Sequence, residues 1–148
     1  MVEKVSLRFQ KNKQFFFKGI LQDNEKIDVS ICNPPFHSSL AEAQKANHRK
    51  TKNLGLKKNF NFGGQHNELW CDGGELKFIK EMIFESKQFS KQCRCFTSLV
   101  SKKENLKPIY NALKKARATS VKTIEMGQGN KISRIVCWPF IPDFFLKL

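Results

Sequence analysis

The sequence predicts an α/β fold: a mostly parallel sheet with helices on its faces and an antiparallel strand at the end. Three observations carry this. Segments that alternate apolar and polar residues are interleaved with segments of helical period, the pattern of β-α-β units. The last two apolar runs are joined by the tight Gly127-Gln128-Gly129-Asn130, which makes them antiparallel neighbours. With 148 residues, 40% hydrophobic content and 14 Phe, the chain has enough apolar mass to build a core and is not a disordered tail.

The elements follow in order. Val5-Ser6-Leu7-Arg8-Phe9 alternates as a strand does. Ile27, Val29 and Ile31 alternate again, and Asn33-Pro34-Pro35 ends that run, because consecutive prolines remove backbone donors and fix φ. Ser39-Leu40-Ala41-Glu42 has the form of a capping box and predicts a short helix to about Asn47. A long loop rich in Lys, Asn and Gly runs from there to Asp72-Gly73-Gly74. Loops of that length inside a domain are usually functional or disordered. From Glu75, the spacing of Leu76, Ile79, Met82, Ile83 and Phe89 predicts a helix. Cys95 to Val100 reads as a buried strand. Ser101-Lys102-Lys103-Glu104 is a second capping box, and it opens a helix that carries Leu106, Ile109, Tyr110, Leu113 and Ala116 on one face. Val121 to Met126 and Ile132 to Trp138 are the closing strands. The apolar tail from Ile141 to Leu148 is expected to pack back on the body.

Charge narrows the partners. Lys and Arg number 27 against 13 Asp and Glu, a net charge of +14. Such an excess suits nucleic acid, an anionic membrane or an acidic partner. Lys, Asn and Phe are abundant together, so codon bias accounts for part of it. The distribution says more than the total. No acid lies between Glu42 and Glu68, a stretch holding Lys45, Arg49, Lys50, Lys52, Lys57 and Lys58. No run of about 18 apolar residues predicts a membrane span. The N-terminus lacks the apolar core of a signal peptide, so the expected location is the cytoplasm. Five cysteines occur without a C-x-x-C pair, and the three histidines form no spaced cluster. Reduced thiols and no metal site are therefore expected.

Asn33-Pro34-Pro35-Phe36 stands directly after a predicted buried strand. In open α/β sheets, ligands bind beyond the carboxyl ends of the strands. A loose pattern of this kind arises by chance in roughly 0.5% of chains of this length at average composition. Its residue types suit a definite chemistry. An exocyclic amine on adenine is a poor nucleophile because its lone pair is delocalised into the ring. Two acceptors aimed at its hydrogens favour a more tetrahedral nitrogen. The Asn33 side-chain oxygen and the Pro34 carbonyl can be those acceptors, and the prolines hold them rigid. Phe36 can stack on an extruded base. The reaction would be an in-line attack on the methyl of a sulfonium donor, driven mainly by orientation and needing no separate base.

A wider set of residues surrounds this motif. It runs Asp28-Val29-Ser30-Ile31-Cys32-Asn33-Pro34-Pro35-Phe36-His37, then Arg49-Lys50, Asn61-Phe62-Gly63-Gly64-Gln65, Glu68-Leu69-Trp70-Cys71, Gly73-Gly74-Glu75, Phe96-Thr97-Ser98-Leu99-Val100-Ser101, and Gln128-Gly129 with Ser133-Arg134 and Trp138. Together these closely resemble the bacterial 23S ribosomal RNA adenine-N6 methyltransferases, over nearly the whole chain to Phe140. The resemblance implies a class I S-adenosylmethionine-dependent, Rossmann-like fold. It also implies that Asn33, Pro34, Pro35 and Phe36 form the catalytic adenine motif and that the substrate is 23S ribosomal RNA. In that setting Arg49, Lys50 and Lys52 are expected to hold RNA phosphates. Cys95 stands where the family pattern suggests an aromatic residue.

The family's methyl-donor site precedes this region, as a Gly-rich turn after the first strand and an acid after the second. Gly127-Gln128-Gly129 lies between two late strands, and Phe62-Gly63-Gly64 fits no permuted donor motif. The expectation is therefore a single partial methyltransferase domain over residues 1–148, the catalytic half of the sheet, with the first strands missing. Its catalytic strand would have one unpaired flank. Such a chain is expected to be poorly stable and to bind S-adenosylmethionine weakly by itself. Two alternatives stand beside the enzyme: a non-catalytic RNA-binding remnant, and a methyltransferase acting on DNA or a glutamine amide.

Overall fold

The most buried of the described strands, Cys93–Val100, organises the rest of the molecule. The computed structural model describes residues 4–35, 37 and 71–146. Six regular elements occur among them: β1 (Ile27–Cys32), α1 (Gly74–Ser86), β2 (Cys93–Val100), α2 (Leu106–Ala116), β3 (Lys122–Gln128) and β4 (Lys131–Trp138). The helix expected over residues 39–47 and the long loop after it lie outside the described residues.

The sheet order is β1-β2-β4-β3. β1 and β2 are parallel, from Ile27 opposite Cys93 to Cys32 opposite Ser98. β4 runs antiparallel to both β2 and β3. Thus β1, β2 and β3 point the same way and the last strand is the reversed one, as expected; its place between β2 and β3 makes the described sheet mixed, with one parallel and two antiparallel pairings. Two observations fix this arrangement. The Gly129 turn, at φ 59°, closes a tight β3–β4 hairpin. β1 and β2 are parallel and therefore need a long crossover, which α1 supplies.

The core lies on the helix side of the sheet. Phe96, Val100, Val136 and Trp138 from β2 and β4 meet Ile79, Met82 and Ile83 of α1 and Ile109, Leu113 and Ala116 of α2. Phe96 sits opposite Trp138 in the ladder, and their rings stack at 6.2 Å between centroids. The buried indole N–H donates to Ser86 Oγ at 2.9 Å, and that hydroxyl donates to the Ile83 carbonyl at 2.7 Å. Both polar groups are thereby satisfied inside the core. Phe17 joins from the N-terminal segment, its ring edge-on to Phe96 at 5.2 Å. The Glu85 carboxylate fixes that segment by accepting the backbone N–H groups of Phe16, Phe17 and Lys18 at 2.7, 2.9 and 2.9 Å.

Three sequence expectations differ from the structure. Residues 5–9 are not a strand, and Val5, Leu7 and Phe9 are 76, 95 and 85% exposed. Alternation makes a strand only where a neighbouring edge supplies ladder bonds, and among the described residues none does so here. The Ser101–Glu104 capping box does not form. A 3-10 turn, Lys103–Asn105, leads into α2, and no side chain caps that helix. Ser101 instead gives both its N–H and its hydroxyl to Glu75. The tail packs in part: Phe144 and Phe145 are half-buried, with Arg94 and Lys122 each 5.8 Å from one of their rings, whereas Leu146 is 85% exposed.

Candidate functional site

Parallel pairing puts the exits of β1 and β2 side by side at one end of the sheet. Asn33, Pro34 and Pro35 follow β1 there, and Ser101 to Asn105 follow β2. Pro34 and Pro35 are buried, Pro34 almost completely, while Asn33 is exposed. The prolines thus anchor the turn in the body and leave the one amide side chain facing outward. That is the arrangement an acceptor for an incoming base requires. Below the turn, the Thr97 hydroxyl donates to the Ser30 carbonyl at 2.8 Å, an extra tie between β1 and β2. Phe36, Arg49, Lys50 and Lys52 lie outside the described residues.

The cysteines around the sheet are held neutral by burial. Burial pushes the Cys32 thiol up to about 11, although Ser98 next to it pulls the other way. Burial likewise raises Cys95 to about 11 and lifts Cys71, Cys93 and Cys137. These thiols are protonated at neutral pH and are poor nucleophiles. All five cysteines are free in the structure. Among the described residues no group of three His, Cys, Asp or Glu side chains comes together to hold a metal. Among them, too, no helix is long and apolar enough to cross a membrane. A cavity of about 320 Å³, lined in part by Phe15, Phe84, Glu81 and Gln88, lies near the far end of α1 and away from Asn33.

Sequence reasoning missed one residue of this region. Glu75, 2% exposed in the first turn of α1, reaches the exit of β2. One carboxylate oxygen accepts Ser101 N–H at 2.7 Å and Ser101 Oγ at 2.6 Å. The other accepts Asn105 Nδ2 at 2.6 Å and Lys102 N–H at 3.4 Å. The visible signal was Gly73-Gly74 before it, two glycines that both adopt positive φ, 79° and 65°. A Cβ on Gly73 would meet Lys77 Cδ at 2.4 Å and Cβ at 2.7 Å, so a side chain there would crowd the helix start.

A methyl donor needs a strand-turn-helix with a Gly-rich turn and an acid beyond it. Among the described residues, β1 pairs only with β2, and its other flank carries no such unit. The exposed side chains of Val29 (48%) and Ile31 (83%) lie on this strand. Among the described residues no Gly-rich strand-turn-helix unit of that kind is present.

Comparison with known proteins gives a consistent picture. A family model described as RNA methyltransferase matches residues 1–142. A Shewanella baltica protein named ribosomal RNA large subunit methyltransferase F is 51% identical over 145 residues, covering 93% of this chain and 40% of that protein. A Christiangramia forsetii protein of the same name is 56% identical over 142 residues, covering 95% of this chain and 50% of that protein. This chain therefore spans about half the length, or less, of these relatives. Among solved structures, the human METTL16 catalytic domain in complex with MAT2A 3′UTR hairpin 1 is 31% identical, with a TM-score of 0.66 over 84% of this chain and 44% of that one.

Proposed function

The chain belongs to this RNA methyltransferase family, and from that premise we propose that it is the adenine-binding, catalytic half of an S-adenosylmethionine-dependent enzyme that methylates N6 of an adenine in 23S ribosomal RNA. The observation that carries the reading is the exposed Asn33 held on buried Pro34 and Pro35 at the carboxyl end of β1. The names of the relatives support the large-subunit ribosomal RNA as substrate. The RNA-bound structural neighbours support an RNA partner. Residues 1–148 then make one partial domain, and the expected place of action is the cytoplasm.

In this reading the chain's own residues act on the base. The Asn33 side-chain oxygen and the Pro34 carbonyl accept the two amine hydrogens. They orient the nitrogen lone pair outward and draw it from the ring. Phe36 stacks on the base, and Arg49, Lys50 and Lys52 hold the adjoining phosphates. The N6 proton leaves to solvent after the nitrogen has acquired its methyl group. S-adenosylmethionine, when bound, supplies that methyl as an electrophilic carbon.

The test is methyl transfer to 23S ribosomal RNA by the full-length enzyme, with Asn33→Ala beside the natural sequence. Incorporation at an adenine N6 that Asn33→Ala abolishes supports the reading, and incorporation that the variant leaves intact defeats it. Replacing Arg49, Lys50 and Lys52 with Ala should weaken RNA binding and flatten its salt dependence by about two log–log units, given roughly 0.7 per single-strand phosphate contact. An unchanged salt slope counts against those three residues.

A further inference from the structure

The exits of β1 and β2 are joined at the ladder, and they are also joined from above. The turn from Cys71 to Gly74 is closed on itself. Gly74 N–H donates to the Cys71 carbonyl at 2.9 Å, and Cys71 Sγ donates to the Gly74 carbonyl at 3.3 Å. Each end of this turn grips a different loop. On one side Cys71 N–H donates to the carbonyl of His37, just past the adenine motif, at 3.0 Å. On the other side Glu75 takes the donors of Ser101, Lys102 and Asn105 past β2. Among the described residues no cation pairs with Glu75, and its charge is met by those donors alone. A buried carboxylate so arranged is costly to disturb and holds its donors in a fixed geometry.

We propose that Glu75 is a positioning residue for the adenine motif: through the rigid Cys71–Gly74 turn it locks the chain after Asn33-Pro34-Pro35 to the exit of β2. The proposal rests on the reading of that motif as the adenine site. It assigns Glu75 no contact with substrate. Its effect passes along two hydrogen-bonded links, from the carboxylate to Ser101–Asn105 and from Cys71 N–H to the His37 carbonyl, joined by the short covalent path from Cys71 to Glu75.

Amide hydrogen exchange on the 148-residue chain tests the link, because it needs neither RNA nor methyl donor. In Glu75→Gln, which places an NH2 group against donors, the amides of Ser101 and Lys102 should exchange about ten-fold faster, and so should the remote amide of Cys71. Ile124 and Ile135, paired in the β3–β4 ladder, should stay within about two-fold. Ser101→Ala, which removes one donor and keeps the carboxylate, should move Cys71 in the same direction by a smaller factor and decides the matter if Glu75→Gln fails to fold. Acceleration confined to Ser101 and Lys102 overturns the proposal, as does equal acceleration throughout the ladder. Binding of single-stranded RNAs with and without an unpaired adenine is measured alongside. Glu75→Gln should cut the preference for adenine about five-fold and leave binding of the RNA without it within about two-fold. A wild-type chain with no preference for adenine defeats the adenine reading, and the exchange data then judge the brace separately. An adenine preference that survives in Glu75→Gln overturns the positioning role.

Discussion

The two outer strands of the sheet are built for different surroundings. β3 reads Lys-Thr-Ile-Glu-Met-Gly-Gln, with one charge at its first residue, another at its centre and a glycine late in the strand. It is bonded along its length to β4, from Lys122 opposite Cys137 to Gln128 opposite Lys131, and Arg134 of β4 reaches Glu125 at 3.5 Å. β1 reads Ile-Asp-Val-Ser-Ile-Cys, with a single charge at Asp28. Protein edges are normally blunted with charge, proline or bulges. β3 meets that description and β1 does not. A strand like β1, apolar at every second position and carrying the proposed adenine motif at its end, has the composition of a sheet interior. Its exposed Ile31 and Val29 mark where the described residues leave that interior uncovered. The contrast teaches that position in the sheet and composition of the strand are separate facts, and that their mismatch at β1 is informative.

Several substitutions sharpen this contrast, in order of falling effect. Phe96→Ala removes the ring that links β2 to Phe17, Trp138 and Phe140. It should cost about 3–5 kcal/mol in urea unfolding, enough to abolish the cooperative transition of a marginal domain. A loss under about 1 kcal/mol would mean that β2 is not the centre of the core. Asn33→Ala should lower the rate of methyl transfer by about 100-fold or more, as loss of a preorganised polar group does. Because Asn33 is exposed, its melting temperature should not change. Ile31→Lys is expected to leave stability within about 0.5 kcal/mol while suppressing self-association in sedimentation velocity. A lysine placed instead at Val136, fully buried in the core on the paired β4, should unfold the protein.

The remaining differences appear with pH. The Cys32 thiol is raised to about 11 from a usual value of 9. The unfolded chain therefore ionises first. The contribution of the protonated thiol is complete below pH 9 and disappears as pH rises through 11. Cys32→Ala should flatten the alkaline limb of the stability curve, and an unaltered limb would show that β1 opens before its thiol titrates. The smallest effect belongs to Glu25, whose carboxyl is lowered chiefly by its paired hydrogen bonds with the Arg8 guanidinium, one of them 2.7 Å. Its contribution is present above the ordinary carboxylate range and is lost as pH falls through the depressed value. The pair is exposed, so Arg8→Ala should change only the acid limb, and slightly.

Much of this architecture was legible because it is local. The alternation at Ile27, Val29 and Ile31, the apolar run at Phe96 and the tight turn at Gly129 each declare their conformation within a few residues. Asn33-Pro34-Pro35 was legible for the same reason. What escaped was decided at a distance. Ser101 looks like a helix cap until Glu75, 26 residues earlier, claims its donors. Val5, Leu7 and Phe9 have a strand's pattern, but a pattern cannot provide a partner edge. The Cys71–His37 bond joins residues whose relation no spacing rule encodes.

The parallel pairing of β1 with β2 also sets an order of assembly. Asp28 and Arg94, one on each strand, are 66 residues apart in sequence, whereas Gln128 and Lys131 face each other across a single turn. Hairpins close in about 1–10 μs, and distant pairings wait on the entropy of a long closure. The pairing of β1 with β2 must therefore wait until Cys93 and the residues after it are available. The part of the molecule proposed to meet the base is then placed by a slow, long-range closure rather than by a local turn.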